Sequence, residues 1–296
     1  PGTGIAGRRC VGTEPEASQV VFTCRDGVKL VADAWGDPGA PAAVFLHGGG
    51  QTRGAWGSAA RDCAGAGWRT YAVDLRGHGE SDWAPEGADY GSPSLARDLV
   101  DIVGQLGHAP VAIGASVGGL LSLLAEGESP EPLLTGLVVV DIAPRMELPG
   151  IRRIVEFMKA KPDGYETLEE VADAVAVYTR RRQRRRDVTG LKKNLRKNAE
   201  GRWIWHWDPR LLARTPEQHV ADVERFYAAA RNLTVPTRLV RGRMSDVLSE
   251  EGAREFMELV PHASYVDVGH AGHMVAGDRN DAFTTAVMDF LRAAFG

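Results

Sequence analysis

The sequence predicts an α/β fold, a mostly parallel sheet with helices on both faces and a helical insertion. Three observations predict it. Short apolar runs alternate with segments of helical period, as in strands buried on both faces and joined by crossover helices. The 35 Gly and 16 Pro point to many tight turns between short elements, more than a helix bundle uses. Residues 145–232 break the alternation. They are charge-rich and mostly helical by period, with no convincing strand, and read as an insertion between two sheet strands.

The elements follow in order. Residues 1–17 are rich in Gly, Ala, Glu and Pro without period, and residues 1–19 are expected to form a flexible N-terminal segment. Val20–Thr23 and Val28–Trp35 flank Arg25-Asp26-Gly27, a hairpin with Asp-Gly as the turn signal. Ala42–Leu46 is a strand running into His47-Gly48-Gly49-Gly50, and Trp56–Ala66 fits a helix closed at Gly67. Thr70–Val73 is a strand leading into Asp74-Leu75-Arg76-Gly77-His78-Gly79-Glu80-Ser81. Ser94–Leu106 places Leu95, Leu99, Ile102, Val103 and Leu106 on one helical face. The strand Val111–Ile113 passes directly into the helix Val117–Ala125, and Leu137–Val140 is a fully apolar strand. After the insertion come the strand Thr237–Arg241, the helix Glu250–Leu259, the strand Ser264–Val268 and a last helix Ala282–Phe295. The core domain is therefore expected at 20–144 and 233–296, and a helical cap at 145–232.

Composition narrows the function classes. A chain of 296 residues suits one large domain carrying an insertion. A net charge of −4 gives no basic footprint, so nucleic acid is not an expected partner. Cys10, Cys24 and Cys63 are odd in number and lack metal-type spacing, which points to a reducing, cytoplasmic setting without disulfides. No signal peptide or membrane-length apolar run is seen, so no membrane partner is expected; the chain starts at Pro1, and a removed leader is left open.

Gly114-Ala115-Ser116-Val117-Gly118 matches G-x-S-x-G between a strand and a helix. A serine on such a tight turn projects its hydroxyl from the strand end, and side chains two positions either side would collide with the turn. The helix N-terminus adds partial positive charge beside a developing oxyanion.

His47–Gly50, Asp74–Ser81, Gly114–Gly118, Ser245-Asp246 and Gly272-His273 occur in the order seen in the α/β-hydrolase superfamily, and over residues 20–296 the chain resembles its bacterial esterases, C–C bond hydrolases and cofactor-free haloperoxidases. The resemblance implies an eight-stranded sheet and no cofactor. Ser116 stands where related dehalogenases and epoxide hydrolases carry Asp, which argues against both of those activities.

A serine hydroxyl needs an imidazole to take its proton and return it to the leaving group. His273, in Gly-His-Met ahead of the last helix, resembles the family's catalytic position, and His270 is the rival. The orienting acid follows the serine and precedes the histidine in chain order. Asp246, just past a strand end, is favoured over Asp141, at the end of Leu137–Val140. By resemblance the oxyanion donors are the N–H groups of Gly49 and Val117, with Gly50 as the alternative to Gly49. His47 is expected to anchor its loop. It has no partner at metal-ligand spacing, so no metal site is expected. Asp74–Ser81 reads as a turn held by Asp and Arg hydrogen bonds.

In the insertion, Arg180–Arg186 reads as a solvated helix face, with attraction of an anionic substrate as the minority view. Trp203, Trp205 and Trp207 alternate with Ile204, His206 and Asp208 and would share one face if extended. They are expected to pack the cap onto the core. Substrate-binding candidates are Gly50, Trp56, Met146, Trp205 and Met244, with Trp83 and Phe157 weaker. An aromatic, capped site favours a small apolar or aromatic substrate. The expected reaction is acyl transfer through Ser116 on an ester. C–C hydrolysis, lactonase or perhydrolase action, or a non-turnover receptor on the same fold, are the alternatives. A small molecule is the expected partner, and homodimerisation is left open.

Overall fold

The computed structural model describes residues 17–178, 188–213, 216–269, 271–273 and 280–296, with only the helical backbone at 216–220 and 280–282. Most of the expected N-terminal segment, Arg180–Arg186 and His270 lie outside the described residues.

Three strands at the heart of the sheet are wholly buried: β3 (Ala42–Leu46), β5 (Val111–Ala115) and β6 (Gly136–Val140). Their alternate residues feed two cores. Val44, Leu46, Ala112, Leu137 and Val139 join one apolar cluster, while Ala43, Phe45, Val111, Ile113, Val138 and Val140 join the other. A strand with both faces covered has no polar side to show, which is why these runs read as continuous apolar sequence. Each such Val, Leu, Ile or Phe contributes roughly 1.5–3 kcal/mol by leaving water.

The sheet has eight strands. β1 (Ser18–Thr23), β2 (Lys29–Trp35), β4 (Arg69–Val73), β9 (Thr237–Gly242) and β10 (Ser264–Val268) join the other three in the order β1-β2-β4-β3-β5-β6-β9-β10. The β1–β2 and β2–β4 pairs are antiparallel, and every later pair is parallel. The hairpin turns where the Asp-Gly signal placed it, with Gly27 at φ 85°.

Helices cover both faces. α1 (Gly57–Gly65) and α8 (Asn280–Phe295) supply Ala59, Ala60, Cys63, Phe283, Val287 and Phe290 to one core. α2 (Ser92–Leu106), α3 (Val117–Gly127) and α7 (Glu250–Leu259) supply Leu99, Ile102, Leu123, Leu124 and Phe256 to the other.

Between β6 and β9 lie α4 (Leu148–Lys159), α5 (Leu168–Tyr178) and α6 (Pro216–Asn232). This segment also holds a two-stranded antiparallel sheet, β7 (Leu195–Lys197) and β8 (Trp203–Trp205), where the sequence showed no convincing strand. The Trp-Ile-Trp alternation is the strand signal, too short to stand out at three residues. No helix among the described residues is long and apolar enough to cross a membrane.

Candidate active site

Ser116 joins β5 to α3 at φ 49° and ψ −119°. Such a backbone costs a non-glycine residue about 1–3 kcal/mol and persists only when its surroundings enforce it. Here the surroundings are backbone. A Cβ at Gly114 would lie 2.4 Å from the carbonyl carbon of Gly118, and one at Gly118 would lie 2.4 Å from the Leu46 carbonyl oxygen. The two glycines let helix and strands close around the serine.

His273 Nε2 lies 3.2 Å from Ser116 Oγ, and His273 Nδ1 lies 2.7 Å from Asp141 Oδ2. With Nδ1–H donating to the carboxylate, Nε2 is left to accept the serine O–H. Asp141 is 1% exposed, at the end of β6 with φ 55°, and its carboxylate also accepts from the Gly242 N–H (2.8 Å) and the Ser245 hydroxyl (2.7 Å). The loop carrying His273 is tied to the turn after β9, where Met244 N–H donates to the Ala271 carbonyl at 2.8 Å. Gly242 permits this approach, since a Cβ there would lie 2.7 Å from the Ala271 oxygen.

Asp246, the favoured acid in the sequence, does not meet His273. Its carboxylate pairs with Arg153 of α4. The physical reason is the path of the loop after β9. Ser245 turns toward Asp141, and the Asp246 backbone packs against Gly150, where a Cβ would lie 2.1 Å from the Asp246 carbonyl oxygen. The Asp246 side chain is thereby directed to α4, away from the imidazole.

The glycine loop lies against the elbow. A Cβ at Gly48 would meet Ser116 Cβ at 3.3 Å, and one at Gly49 would meet Val117 Cγ2 at 3.4 Å. The Gly50 N–H donates to His78 Nε2 at 3.0 Å, which commits that amide. Gln51 Oε1 accepts from the Gly48 N–H at 3.0 Å. His47 anchors the next turn, with Nε2 accepting from the Leu75 N–H at 3.0 Å and Nδ1 donating to the Gly48 carbonyl at 2.8 Å. In the Asp74–Ser81 turn, Asp74 accepts from the Arg53 guanidinium and from the Glu80 N–H.

His47, His78 and His206 pack in a row, with ring centroids 5.0 and 5.8 Å apart. Burial pushes their pKa values down, to about 4 for His47, about 3 for His78 and about 2 for His206; neighbouring imidazoles push the last two further. The sequence reading assigned no role to His78 or His206. The signal available was the Gly-His-Gly spacing, which frees the backbone on both sides of His78.

A chamber of about 320 Å³ opens on Ser116, His273, Gly49 and Val117. Most of its wall is apolar side chains of α3 and of the segment between β6 and β9, among them Met146, Ile154, Met158, Trp205, Trp207 and Phe226, and Arg76, His78, Asn194 and Asp222 line it as well. The indoles of Trp205 and Trp207 stack at 4.8 Å with planes 10° apart. Gly50 borders the chamber too, and a Cβ there would touch Met158 and Trp207 at 3.3 Å. Phe157 lines it, whereas Trp83, 39% exposed, does not. Two further expectations are corrected. Trp56 is buried against Phe45 in the core under α1 and α8, because its indole faces the far side of the sheet. Met244 is 68% exposed, because the turn that ties it to Ala271 leaves its side chain outside. Neither borders the chamber.

Chemically, the arrangement brings a hydroxyl, a base able to take its proton, and a buried carboxylate able to stabilise the resulting cation to one wall of an apolar cavity. The comparisons with known proteins agree in kind. The sequence matches the Alpha/beta hydrolase family over residues 43–286. It is 32% identical to the sn-1-specific diacylglycerol lipase ABHD11 of Mus musculus, over 86% of this chain and 82% of that protein. It is 29% identical to esterase Rv0045c of Mycobacterium tuberculosis, over 87% and 84% of the two chains. Among solved structures, an alpha/beta hydrolase from Novosphingobium aromaticivorans superposes with a TM-score of 0.75 at 26% identity, covering 94% of this chain and 99% of that one.

Proposed function

Because the chain belongs to the alpha/beta hydrolase family, we propose that it is a serine esterase, with Ser116 as nucleophile, His273 as general base and Asp141 as the acid that orients the imidazole. The observation that carries this reading is the unbroken hydrogen-bond chain from Ser116 Oγ through His273 to Asp141, 3.2 and 2.7 Å, at the chamber wall. His273 takes the serine proton as Oγ attacks the ester carbonyl. The N–H groups of Gly49 and Val117 hold the oxyanion, where one donor is worth about 10²–10³ in rate. His273 then protonates the departing alcohol, and water releases the acyl group by the same route in reverse.

The substrate class follows from the walls. The walls are mainly apolar, with Met146, Ile154, Met158, Trp205, Trp207 and Phe226 outweighing the few charged and polar side chains such as Arg76 and Asp222, and the segment between β6 and β9 serves as a cap over an apolar acyl group. The esterase and lipase names of the relatives fit this assignment.

The test uses p-nitrophenyl acetate, butyrate, octanoate and laurate, with a fluorophosphonate probe. Wild type is expected to turn over repeatedly, with kcat/KM rising from acetate to octanoate, and to take the probe. Ser116→Ala is expected to lose the label and about 10⁴-fold or more of the rate. Equal labelling of both proteins rejects the nucleophile.

A further inference from the structure

The turn at 77–79 is gripped from the segment between β6 and β9. His206 Nδ1 accepts from the Gly79 N–H at 2.7 Å, the Arg196 guanidinium donates to the Gly79 carbonyl, and the Asp208 N–H donates to the Gly77 carbonyl at 2.9 Å. Between the two gripped glycines stands His78. Its Nδ1 donates to the Arg76 carbonyl at 3.1 Å, which fixes the tautomer and leaves Nε2 as an acceptor. That acceptor receives the Gly50 N–H. Arg76 is itself held at 2.6 and 3.0 Å by the buried Asp98 of α2, so the turn has little freedom to follow a moving loop.

We propose that His78, backed by His206, is a positioning residue for the hydrolytic step: by taking the Gly50 amide it holds the glycine loop so that the neighbouring Gly49 amide faces the developing oxyanion. The inference rests on the serine-esterase reading and adds a residue at the chamber wall that acts through the Gly50 amide. Physically, an amide misplaced by about 1 Å is worth little to a transition state, and such misplacement costs on the order of 10²-fold in rate. The Gly50 N–H would otherwise be free to swing toward the substrate or to water. The imidazole removes that choice because Nε2 offers one lone pair in one direction, and because burial keeps the ring neutral among His47, His206, Asp74 and Asp208.

Three substitutions separate this role from plain structural support. Glutamine places a carbonyl oxygen near the position of Nε2 and can accept from Gly50. Asparagine reaches only as far as Nδ1. Leucine accepts nothing. With p-nitrophenyl butyrate, His78→Leu and His78→Asn are expected to lower kcat by about tenfold to a hundredfold with KM within about twofold of wild type. His78→Gln is expected to recover most of the loss. A trifluoromethyl ketone, which forms the tetrahedral adduct on serine, should weaken in parallel with kcat. Combining His206→Leu with His78→Leu should cost little more than His78→Leu alone, since both act on one loop. Equal kcat in the Gln and Asn variants overturns the proposal, as does a wild-type kcat in His78→Leu. If His78→Leu fails to fold, the Gln and Asn pair decides, both being polar amides. Retained activity in Ser116→Ala would instead strike at the esterase reading itself, so the two failures are distinguishable.

Discussion

Asp141 ends β6 in a left-handed conformation and collects donors from a backbone amide, a serine hydroxyl and the His273 ring. A carboxylate so placed fixes the imidazole tautomer and stabilises its cation. Asp141→Asn is therefore expected to lower kcat by about 10⁴-fold, since an amide cannot play the same part toward Nδ1–H. Asp246→Asn removes only a half-exposed ion pair with Arg153, and its kcat should stay within about twofold of wild type. Esterase assays on the two variants check both, and the opposite ranking would restore Asp246 as the acid. The sequence favoured Asp246, although nothing local sets the two residues apart. Each follows a strand and lies between Ser116 and His273. What separates them is the direction a loop takes after β9, which the contact with Gly150 and the hydrogen bond from Ser245 to Asp141 decide. Those contacts join residues about a hundred positions apart and leave no local pattern. Ser116 and His273 were legible because their chemistry comes with its own short-range glycine pattern.

The elbow shows how an element boundary stores information in absent atoms. Gly118→Ala puts a methyl group 2.4 Å from the Leu46 oxygen and 2.8 Å from the His47 oxygen, both backbone and both part of the layer beneath the site. The strand and helix must part to admit it, and a loss of about 3 kcal/mol or more is expected. Gly104, exposed inside α2, has nothing within 4 Å, so Gly104→Ala should stabilise by about 0.5–1 kcal/mol. Urea unfolding of the two variants tests the contrast, and a Gly118→Ala midpoint equal to wild type would contradict it. The same scale explains which elements the sequence disclosed. β3, β5 and β6 were legible because both their faces are buried. β7 and β8 were not. Three residues cannot display a period, and their pairing is completed by the bridge between Tyr165 and Trp203.

Over the whole molecule, three neutral imidazoles are packed where β3, the 77–79 turn and the inserted segment meet. Each has a pKa well below the ordinary 6.5 of histidine. As pH falls below about 6.5 the unfolded chain takes up these protons first, so folding stability is full above that value and declines toward about pH 4. The slope reaches at most about 1.4 kcal/mol per pH unit for each imidazole. Urea midpoints should be level near about pH 7.5 and fall steadily below about pH 6; level midpoints down to about pH 4.5 would contradict the burial of these rings in neutral form. The chamber is also a property of the whole. Met146 and Trp205 were legible as candidates because large apolar residues in an insertion need a place to pack, but Met158, Trp207 and Phe226 reach the same cavity from other turns of that segment.

The hydroxyl and its acid end neighbouring strands, β5 and β6, whose register sets Ala115 opposite Val140. Both precede the inserted segment in the chain, and of the proton-handling residues only the imidazole arrives after it. In the proposed reading the nucleophile and its acid are thus carried by neighbouring strands of the sheet, while much of the chamber wall comes from the inserted segment. That wall and the turn at 77–79 are therefore coupled, since the same inserted segment holds the turn through His206, Arg196 and Asp208.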